Sequence, residues 1–142
     1  MKTLKTFLSG NALKSKNMEF VASKRFLDDD GNPAKWELRC ISPEEDEIIR
    51  RECTKRVPIP GKKGQYIPEM DANAYMGQLA AKCTVFPDLN DKELQDSYHV
   101  MSADALLKAM LIPGEYANYL NKAQEVNGFD ISMEELVEEA KN

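Results

Sequence analysis

The sequence has few of the side chains from which active sites and metal centres are usually built. It contains one histidine, His99, and three cysteines, Cys40, Cys53 and Cys83, in 142 residues. The cysteines are odd in number and widely spaced, which predicts reduced thiols in the core and no disulfide framework or zinc site. A histidine near a helix end is far more often a surface or capping group than a general base. We therefore predict no catalytic residue, no cofactor and no metal, although a small hydrolase centred on His99 stays an alternative.

Long hydrophobic runs are also missing. The longest apolar runs are a few residues, whereas a membrane-spanning helix needs roughly 20. The opening "MKTLKTFLSGNALKSKN" scatters lysines where a signal peptide needs an unbroken apolar core. These features predict a cytoplasmic protein that does not enter a membrane. With 42% apolar and 30% charged residues, the chain has the balance of one domain over residues 1–142. Within that domain we expect residues 1–17 to be flexible.

The charge of the chain is acidic and uneven. Residues 1–66 hold 14 Lys/Arg and 10 Asp/Glu, a net charge of +4, while residues 67–142 hold 5 and 14, a net charge of −9. The chain has no dense basic stripe, and we predict no nucleic-acid binding because phosphate contacts dominate such affinity. Complementary patches favour head-to-tail self-association or a basic protein partner. Two differently solvated faces would explain the asymmetry equally well.

The clearest local pattern is a β-hairpin in the first third of the chain. "MEFVASKRFL" and "KWELRCI" alternate apolar and polar residues, and "DDDGNP" between them supplies a turn at Asp30-Gly31. The sequence therefore predicts a hairpin over about residues 18–41. Its open edges, or the segment 57–68, are candidates for self-association.

Helical patterns occupy most of the remaining chain. Ser42 and Glu45 form a capping box for a helix from Pro43 to Arg56, and the Pro/Gly-rich segment 57–68 that follows reads as a mobile loop. Apolar residues then recur at helical spacing from Ala72 to Cys83. Three further helices are predicted from N-caps at Asn90, Ser102 and Ser132, and one more begins at Pro113 and stops at Gly128.

Together these elements predict an α+β fold, with an N-terminal β-hairpin packed on a mainly helical body of five or six short helices. The predicted core is the set of large apolar residues on the inner faces: Phe20, Trp36, Leu38, Tyr75, Leu79, Leu106, Leu107 and Leu120.

The stretch "KAMLIPGEY", residues 108–116, places large apolar residues directly before a Pro-Gly pair. Pro113 disfavours helical geometry at the preceding residue and suits the first turn of a new helix, so the stretch predicts a tight helix–helix corner. The favoured interpretation is a buried corner. The functional hypothesis adds that its rim lines a groove for a protein partner, with five candidate contacts: Met110, Leu111, Ile112, Tyr116 and Tyr119.

Long parts of the sequence also resemble a known family. "EFVASKRFLDDDGNPAKWELRCISPEEDEIIRRECTKR" and "LQDSYHVMSADALLKAMLIPGEYANYLNKAQEVNGFD" are similar to the XkdN-like tail assembly chaperones of defective prophages and contractile-tailed phages of Gram-positive bacteria. The similarity runs from about Glu19 to the final "EELVEEAKN". Its most distinctive pieces are "FVASKRF", "LQDSY" and "LIPGEY", and none of them is a catalytic motif.

The resemblance implies a non-enzymatic protein that binds the tape measure protein while the tail tube is built and is absent from the mature particle. The alternative is a structural tail completion or connector component that is retained in the particle. The family supplies no catalytic residues. An amphipathic helix of the partner would need an apolar groove with charged rims.

Overall fold

A computed structural model describes residues 2–129, and they form an α+β fold as predicted. A three-stranded antiparallel sheet contains β1 (Met18–Phe20), β2 (Trp36–Leu38) and β5 (Thr84–Phe86), in the order β1-β2-β5. Met18 pairs with Leu38 and Phe20 with Trp36, so the predicted N-terminal hairpin is present. Each of its strands is only three residues long. The apolar residues of β2, Trp36 and Leu38, are buried in the hydrophobic core.

The connection between β1 and β2 is organised around its predicted turn. The Asp28 carboxylate accepts hydrogen bonds from the backbone N–H of Asp30 at 3.0 Å and of Asn32 at 2.9 Å. Gly31 has a φ of +82°, a backbone conformation that glycine adopts without steric cost. An isolated bridge between Leu27 and Pro33 closes this inner turn.

The chain from 54 to 70 differs from the sequence prediction. The first helix, α1 (Pro43–Glu52), is shorter than predicted and is followed by a second hairpin of β3 (Thr54–Pro58) and β4 (Tyr66–Met70). The predicted loop at 57–68 is therefore reduced to residues 59–65. Prolines are excluded from central strands, and this two-stranded ribbon has only edges, so it accommodates Pro58 and Pro68.

Most helices begin and end close to the residues that the sequence predicted as their caps. In α1 the Ser42 hydroxyl accepts from the Glu45 N–H at 3.2 Å, and the Glu45 carboxylate accepts from the Ser42 N–H at 3.1 Å. Gly128, with φ +76°, follows the helix Pro113–Val126, as predicted. The other helices in residues 2–129 are α2 (Ala72–Cys83), α3 (Lys92–Ser97), α4 (Ala103–Met110) and α5 (Pro113–Val126).

Two of the predicted N-caps, Asn90 and Ser132, are not seen as caps in residues 2–129. The N-cap of α3 is Asp91, whose carboxylate accepts from the Leu94 N–H at 2.9 Å, so the prediction of Asn90 was wrong by one residue. Asn90 instead lies in a turn in which its N–H donates to Asp88. The helix predicted after Ser132 lies outside the described residues.

The core lies between the three-stranded sheet and the helices α2, α4 and α5. Six of the predicted core residues are buried, while Phe20 and Leu120 are half-buried and pack against the core. The centre of the core is aromatic: the Tyr119 ring lies 5.5 Å from the ring centroids of both Trp36 and Phe20. Such tilted and edge-on pairs are favourable beyond the area that they bury.

Candidate partner-binding surface

The stretch 108–116 forms the helix–helix corner that its sequence predicts. The helix α4 ends at Met110, Ile112 is extended with φ −78° and ψ 162°, and α5 begins at Pro113. The Glu115 carboxylate accepts a hydrogen bond from the Ile112 N–H at 3.1 Å. This backbone hydrogen bond, assisted by Ser23 and Arg25, lowers the pKa of Glu115, because the charged form is the better acceptor.

Arg25 contacts both helices of the corner, although it was not among the predicted site residues. Its guanidinium donates to the Met110 carbonyl at 2.5 Å and lies 3.5 Å from the Glu115 carboxylate. The end of α4 and the start of α5 are thus held by one side chain from the β1–β2 connection. Nothing in the local sequence indicates a contact between residues 85 positions apart.

The five candidate contacts at the corner do not share one environment. Met110 and Leu111 are 5% and 6% exposed, which confirms the favoured interpretation of a buried corner. Tyr119 is fully buried, so its predicted place at the rim was wrong. Tyr116 is half-buried, and Ile112 is 53% exposed. Only Ile112 and Tyr116 therefore offer surface to a partner in this conformation.

The hydroxyl group of the buried Tyr119 side chain is hydrogen-bonded. Its hydroxyl oxygen lies 2.5 Å from the Thr84 hydroxyl oxygen, and Thr84 in turn donates to the Ala80 carbonyl at 2.8 Å. Since the single Thr84 proton is used in that bond, Tyr119 is the donor to Thr84. Burial raises the pKa of Tyr119, so the phenol stays neutral. Tyr119 is a satisfied core residue that ties α5 to the end of α2.

The Tyr116 side chain of α5 packs against α2 at Gly77. A Cβ atom built on Gly77 would lie only 2.9 Å from the Tyr116 hydroxyl oxygen. Gly77 therefore provides the space in which the phenol lies, and burial raises the pKa of Tyr116. The Lys108 side chain lies on the same side, with its Cε 4.0 Å from that Cβ position.

A groove that the sequence did not predict lies at the start of α4. It encloses about 280 Å³ between α1, α2 and the start of α4. Ile48 of α1 is 49% exposed there, beside the buried Ile49. The lining combines apolar and charged groups: Glu45, Ile48, Ile49, Glu52, Gln78, Ala81, Lys82, Asn90 and Ala103. Among these, Ile49 is buried, whereas Glu52 and Lys82 are exposed.

Two polar clusters fix the helix that forms one wall of this groove. Arg39 lies 3.1 Å from Glu45, and this hydrogen bond, together with that from the Ser42 backbone, lowers the pKa of Glu45 to about 2. Asp46 accepts hydrogen bonds from Arg50, at 2.8 Å, and from the Tyr75 hydroxyl of α2. The Arg50 guanidinium also lies over the Tyr75 ring, 4.6 Å from its centroid. The helix is therefore held against α2 and against Arg39, the residue that follows β2.

The side chains considered for catalysis do not assemble into a reactive group in the described part of the chain. His99 is exposed and follows the short helix α3 with a φ of +58°. Cys53 and Cys83 are buried, as expected for small core side chains, and burial raises the pKa of both thiols. Cys40 is half-buried, with its sulfur 2.9 Å from the Ser15 hydroxyl oxygen. No cluster of three potential metal ligands occurs in residues 2–129.

Two segments extend from the packed body. Nearly every residue of the β3–β4 hairpin is exposed, including Tyr66 at 53% and Ile67 at 47%. All of residues 2–17 are exposed as well. In the part of the chain that the structure covers, none of the helices has the length and apolar character needed to cross a membrane.

Comparisons with known proteins agree over almost the whole chain. Residues 4–141 match the family model described as phage XkdN-like tail assembly chaperone protein. Two proteins of Bacillus subtilis are similar over 140 residues, which cover 98% of this chain and 93% of each relative. The uncharacterized protein YqbN is 35% identical, and the phage-like element PBSX protein XkdN is 34% identical. A crystal structure of the protein YqbN matches with a TM-score of 0.78 and 30% identity, covering 92% of this chain and 99% of that one.

Proposed function

Because this chain belongs to the family of phage XkdN-like tail assembly chaperones, we propose that it binds the tape measure protein during assembly of the tail tube. It acts in the cytoplasm of the bacterial host as a binding protein, without catalysing a reaction, and it is absent from the mature particle. The observation that carries this proposal is the groove between α1, α2 and the start of α4.

The groove has the chemistry needed to receive one face of an amphipathic helix. Ile48, Ile49 and Ala103 contribute apolar side chains to its lining, while Glu45, Glu52 and Lys82 contribute charges of both signs. A volume of about 280 Å³ lies at the small end of ligand pockets, which favours a few side chains of a docked helix over a whole cofactor. A tape measure protein is a long helical chain, so it presents such faces before the tube encloses it.

The helix–helix corner offers a second contact area. Ile112 is exposed and Tyr116 is half-buried beside it, one helical turn along α5. Met110, Leu111 and Tyr119 support this surface from below, since all three are buried. The eight residues of α4 separate the corner from the groove by about 12 Å, because a helix rises 1.5 Å per residue. A partner helix of ordinary length is long enough to span this separation.

Three matched isoleucine substitutions test where the partner binds. Ile48→Gln changes the groove, Ile112→Gln changes the corner, and Ile67→Gln changes the β3–β4 hairpin as the control. The three side chains are 49%, 53% and 47% exposed, so each variant is expected to fold with a stability change of about 0.5 kcal/mol or less. In co-expression pull-downs with the tape measure protein, we expect Ile48→Gln to lose most of the captured partner and Ile67→Gln to retain it.

The result for Ile112→Gln decides the role of the corner. If this variant captures less tape measure protein than the wild type, the corner belongs to the interface. If it captures as much as the wild type, the corner lies outside the interface. If Ile48→Gln and Ile112→Gln both bind the tape measure protein as the wild type does, the proposed surface is wrong.

The alternative function is a structural tail completion or connector component that remains in the particle. Mass spectrometry of purified particles distinguishes the two functions, because a chaperone is missing from the finished tail and a connector is present in fixed stoichiometry. Detection of this chain at a constant copy number per particle would replace the chaperone proposal with the connector.

A further inference from the structure

The N-terminal segment, residues 2–17, exposes a large amount of apolar side chain. Leu4, Phe7 and Leu13 are 77%, 78% and 98% exposed, and Leu8 is 51% exposed. Scattered exposed apolar residues are ordinary, but a contiguous group of them marks a contact surface. Leu4 and Phe7 are the first and last residues of a single short 3₁₀ turn, Leu4–Phe7, so they lie on one side of it, and Leu8 follows directly.

Local hydrogen bonds shape this segment into a defined turn. The Thr3 side chain accepts from the Lys5 N–H, and the Leu8 N–H donates to the Lys5 carbonyl at 3.3 Å. The Asn11 side chain also donates to the Lys5 carbonyl, at 2.7 Å. The backbone thus holds the apolar side chains together on a surface that no residue of 18–129 buries.

The base of the segment lies next to the end of α5. Ser15 contacts the Cys40 sulfur at 2.9 Å, and the side chain of Asn127 accepts a hydrogen bond from the Ile41 N–H, also at 2.9 Å. Cys40 and Ile41 are adjacent in the chain. Asn127, three residues before the segment 130–142, therefore lies beside the point at which the N-terminal segment joins the packed body.

The two segments carry opposite charges. Residues 2–17 contain four lysines and no acidic residue, whereas residues 130–142 contain five acidic residues and one lysine. The sequence of the second segment also carries apolar residues at helical spacing: Met133, Leu136, Val137 and Ala140. Its apolar and acidic groups complement the apolar and basic groups of the first segment.

We propose that residues 130–142 pack against the Leu4, Phe7 and Leu8 face of the N-terminal segment in the same molecule. The acidic side chains then lie beside Lys2, Lys5 and the other lysines of that segment. Attachment to α5 next to the segment's base gives a high effective concentration, so weak pairwise contacts are sufficient for docking. This inference does not depend on the identity of the protein partner.

Hydrogen exchange measured by mass spectrometry on the full chain tests the proposal. The readout is deuterium uptake in the peptide covering residues 2–17, whose amides at Thr6, Leu8, Asn11 and Ala12 donate backbone hydrogen bonds. Two variants weaken the docked segment without changing the described core. One replaces Met133, Leu136 and Val137 by serine, and the other replaces Glu134, Glu135, Glu138 and Glu139 by glutamine.

We expect both variants to accelerate exchange in residues 2–17 by about tenfold, which corresponds to roughly 1.4 kcal/mol of docking free energy. Uptake in the β3–β4 hairpin should not change. The matched control replaces four exposed glutamates elsewhere, Glu44, Glu47, Glu69 and Glu93, by glutamine. This control changes the net charge by the same amount as the four substitutions in residues 130–142. Its residues 2–17 should exchange at the wild-type rate.

Two outcomes overturn the proposal. Equal uptake of residues 2–17 in the wild type and both variants shows that residues 130–142 do not cover them. Protection that disappears on tenfold dilution of the wild type shows that the cover comes from a second copy, because docking within one molecule is independent of concentration.

Discussion

At the scale of single residues, Tyr119 has the largest predicted effect on stability. We expect Tyr119→Ala to lower the free energy of unfolding by about 3–5 kcal/mol, because the ring fills the space between Trp36 and Phe20. Tyr119→Phe should cost about 1 kcal/mol, because only the hydrogen bond to Thr84 is lost. Urea denaturation measures both values.

The control for this prediction is Tyr66→Ala on the hairpin, where the side chain is 53% exposed. It should change the stability by less than about 1 kcal/mol. A Tyr119→Ala variant as stable as Tyr66→Ala would contradict the aromatic core described above.

Glu45 gives a pH-dependent prediction at the same scale. Its pKa is lowered to about 2 by Arg39 and the Ser42 backbone, so the charged form stabilises the fold above its ordinary pKa of 4.5. That contribution is lost as the pH falls through 2. Because the pair lies at the surface, we expect Glu45→Gln to be less stable than the wild type by about 0.5–1 kcal/mol at pH 6.

The difference between wild type and Glu45→Gln should shrink as the pH is lowered from 5 to 2, measured by urea denaturation at each pH. Glu44→Gln, in the same helical turn and exposed, controls for the helix dipole. A difference that stays constant over this range would show that the Arg39–Glu45 pair does not stabilise the fold.

At the scale of elements, the packing of α2 against α5 depends on Gly77. Alanine in place of glycine normally stabilises a helix by about 1 kcal/mol. Here the added Cβ would lie 2.9 Å from the Tyr116 hydroxyl oxygen, so the phenol would have to move. We expect Gly77→Ala to destabilise the wild type and to be neutral or stabilising in a Tyr116→Phe background.

A double-mutant cycle from thermal or urea denaturation measures this coupling. The coupling free energy between the two positions should be about 1 kcal/mol, because removal of the Tyr116 hydroxyl makes room for the alanine Cβ. Additive effects of the two substitutions would mean that α2 and α5 are not held at this distance by Tyr116.

The helices and the β1–β2 hairpin were predictable because their signals are local, whereas the strand β5 was not. Ser42 and Ser102 cap helices that begin at the next residue, and the apolar stripe from Ala72 to Cys83 matches α2. The strand β5 follows α2 directly, with Thr84 serving as the C-cap. Its strand character comes from pairing with β2, which lies about fifty residues earlier in the chain and leaves no periodic pattern.

The candidate site was predictable only in part. The Pro113 corner followed from proline chemistry, and the structure confirms the burial of Met110 and Leu111. The place of Tyr119 did not follow, because helical spacing shows which face is apolar but not how deep each residue lies. That depth is set by Trp36, which comes from a distant strand. The contact of Arg25 with the corner was unpredictable for the same reason.

At the scale of the whole molecule, the uneven charge leads to a prediction about self-association. The hairpin from 54 to 70 carries four basic residues and one acidic residue, in a chain whose second half is acidic. We propose that the hairpin, or an open edge of the N-terminal sheet, mediates self-association. Light scattering at high concentration should give a mass above that of the monomer, decreasing with added salt.

Replacement of Lys62 and Lys63 at the hairpin tip by glutamate should lower that mass. The control replaces two other exposed lysines, Lys92 and Lys108, by glutamate. A monomeric mass for the wild type at every concentration contradicts self-association altogether.

Pro58 and Pro68, which both lie within the paired strands of the β3–β4 hairpin, also affect aggregation. Neither residue has an N–H to offer to an incoming strand, and Lys55 and Arg56 add repulsive charge along the same ribbon. An exposed two-stranded ribbon would otherwise be a template for the addition of further strands, as in amyloid fibrils. These prolines and charges therefore act as gatekeepers that let the hairpin remain exposed without nucleating fibres.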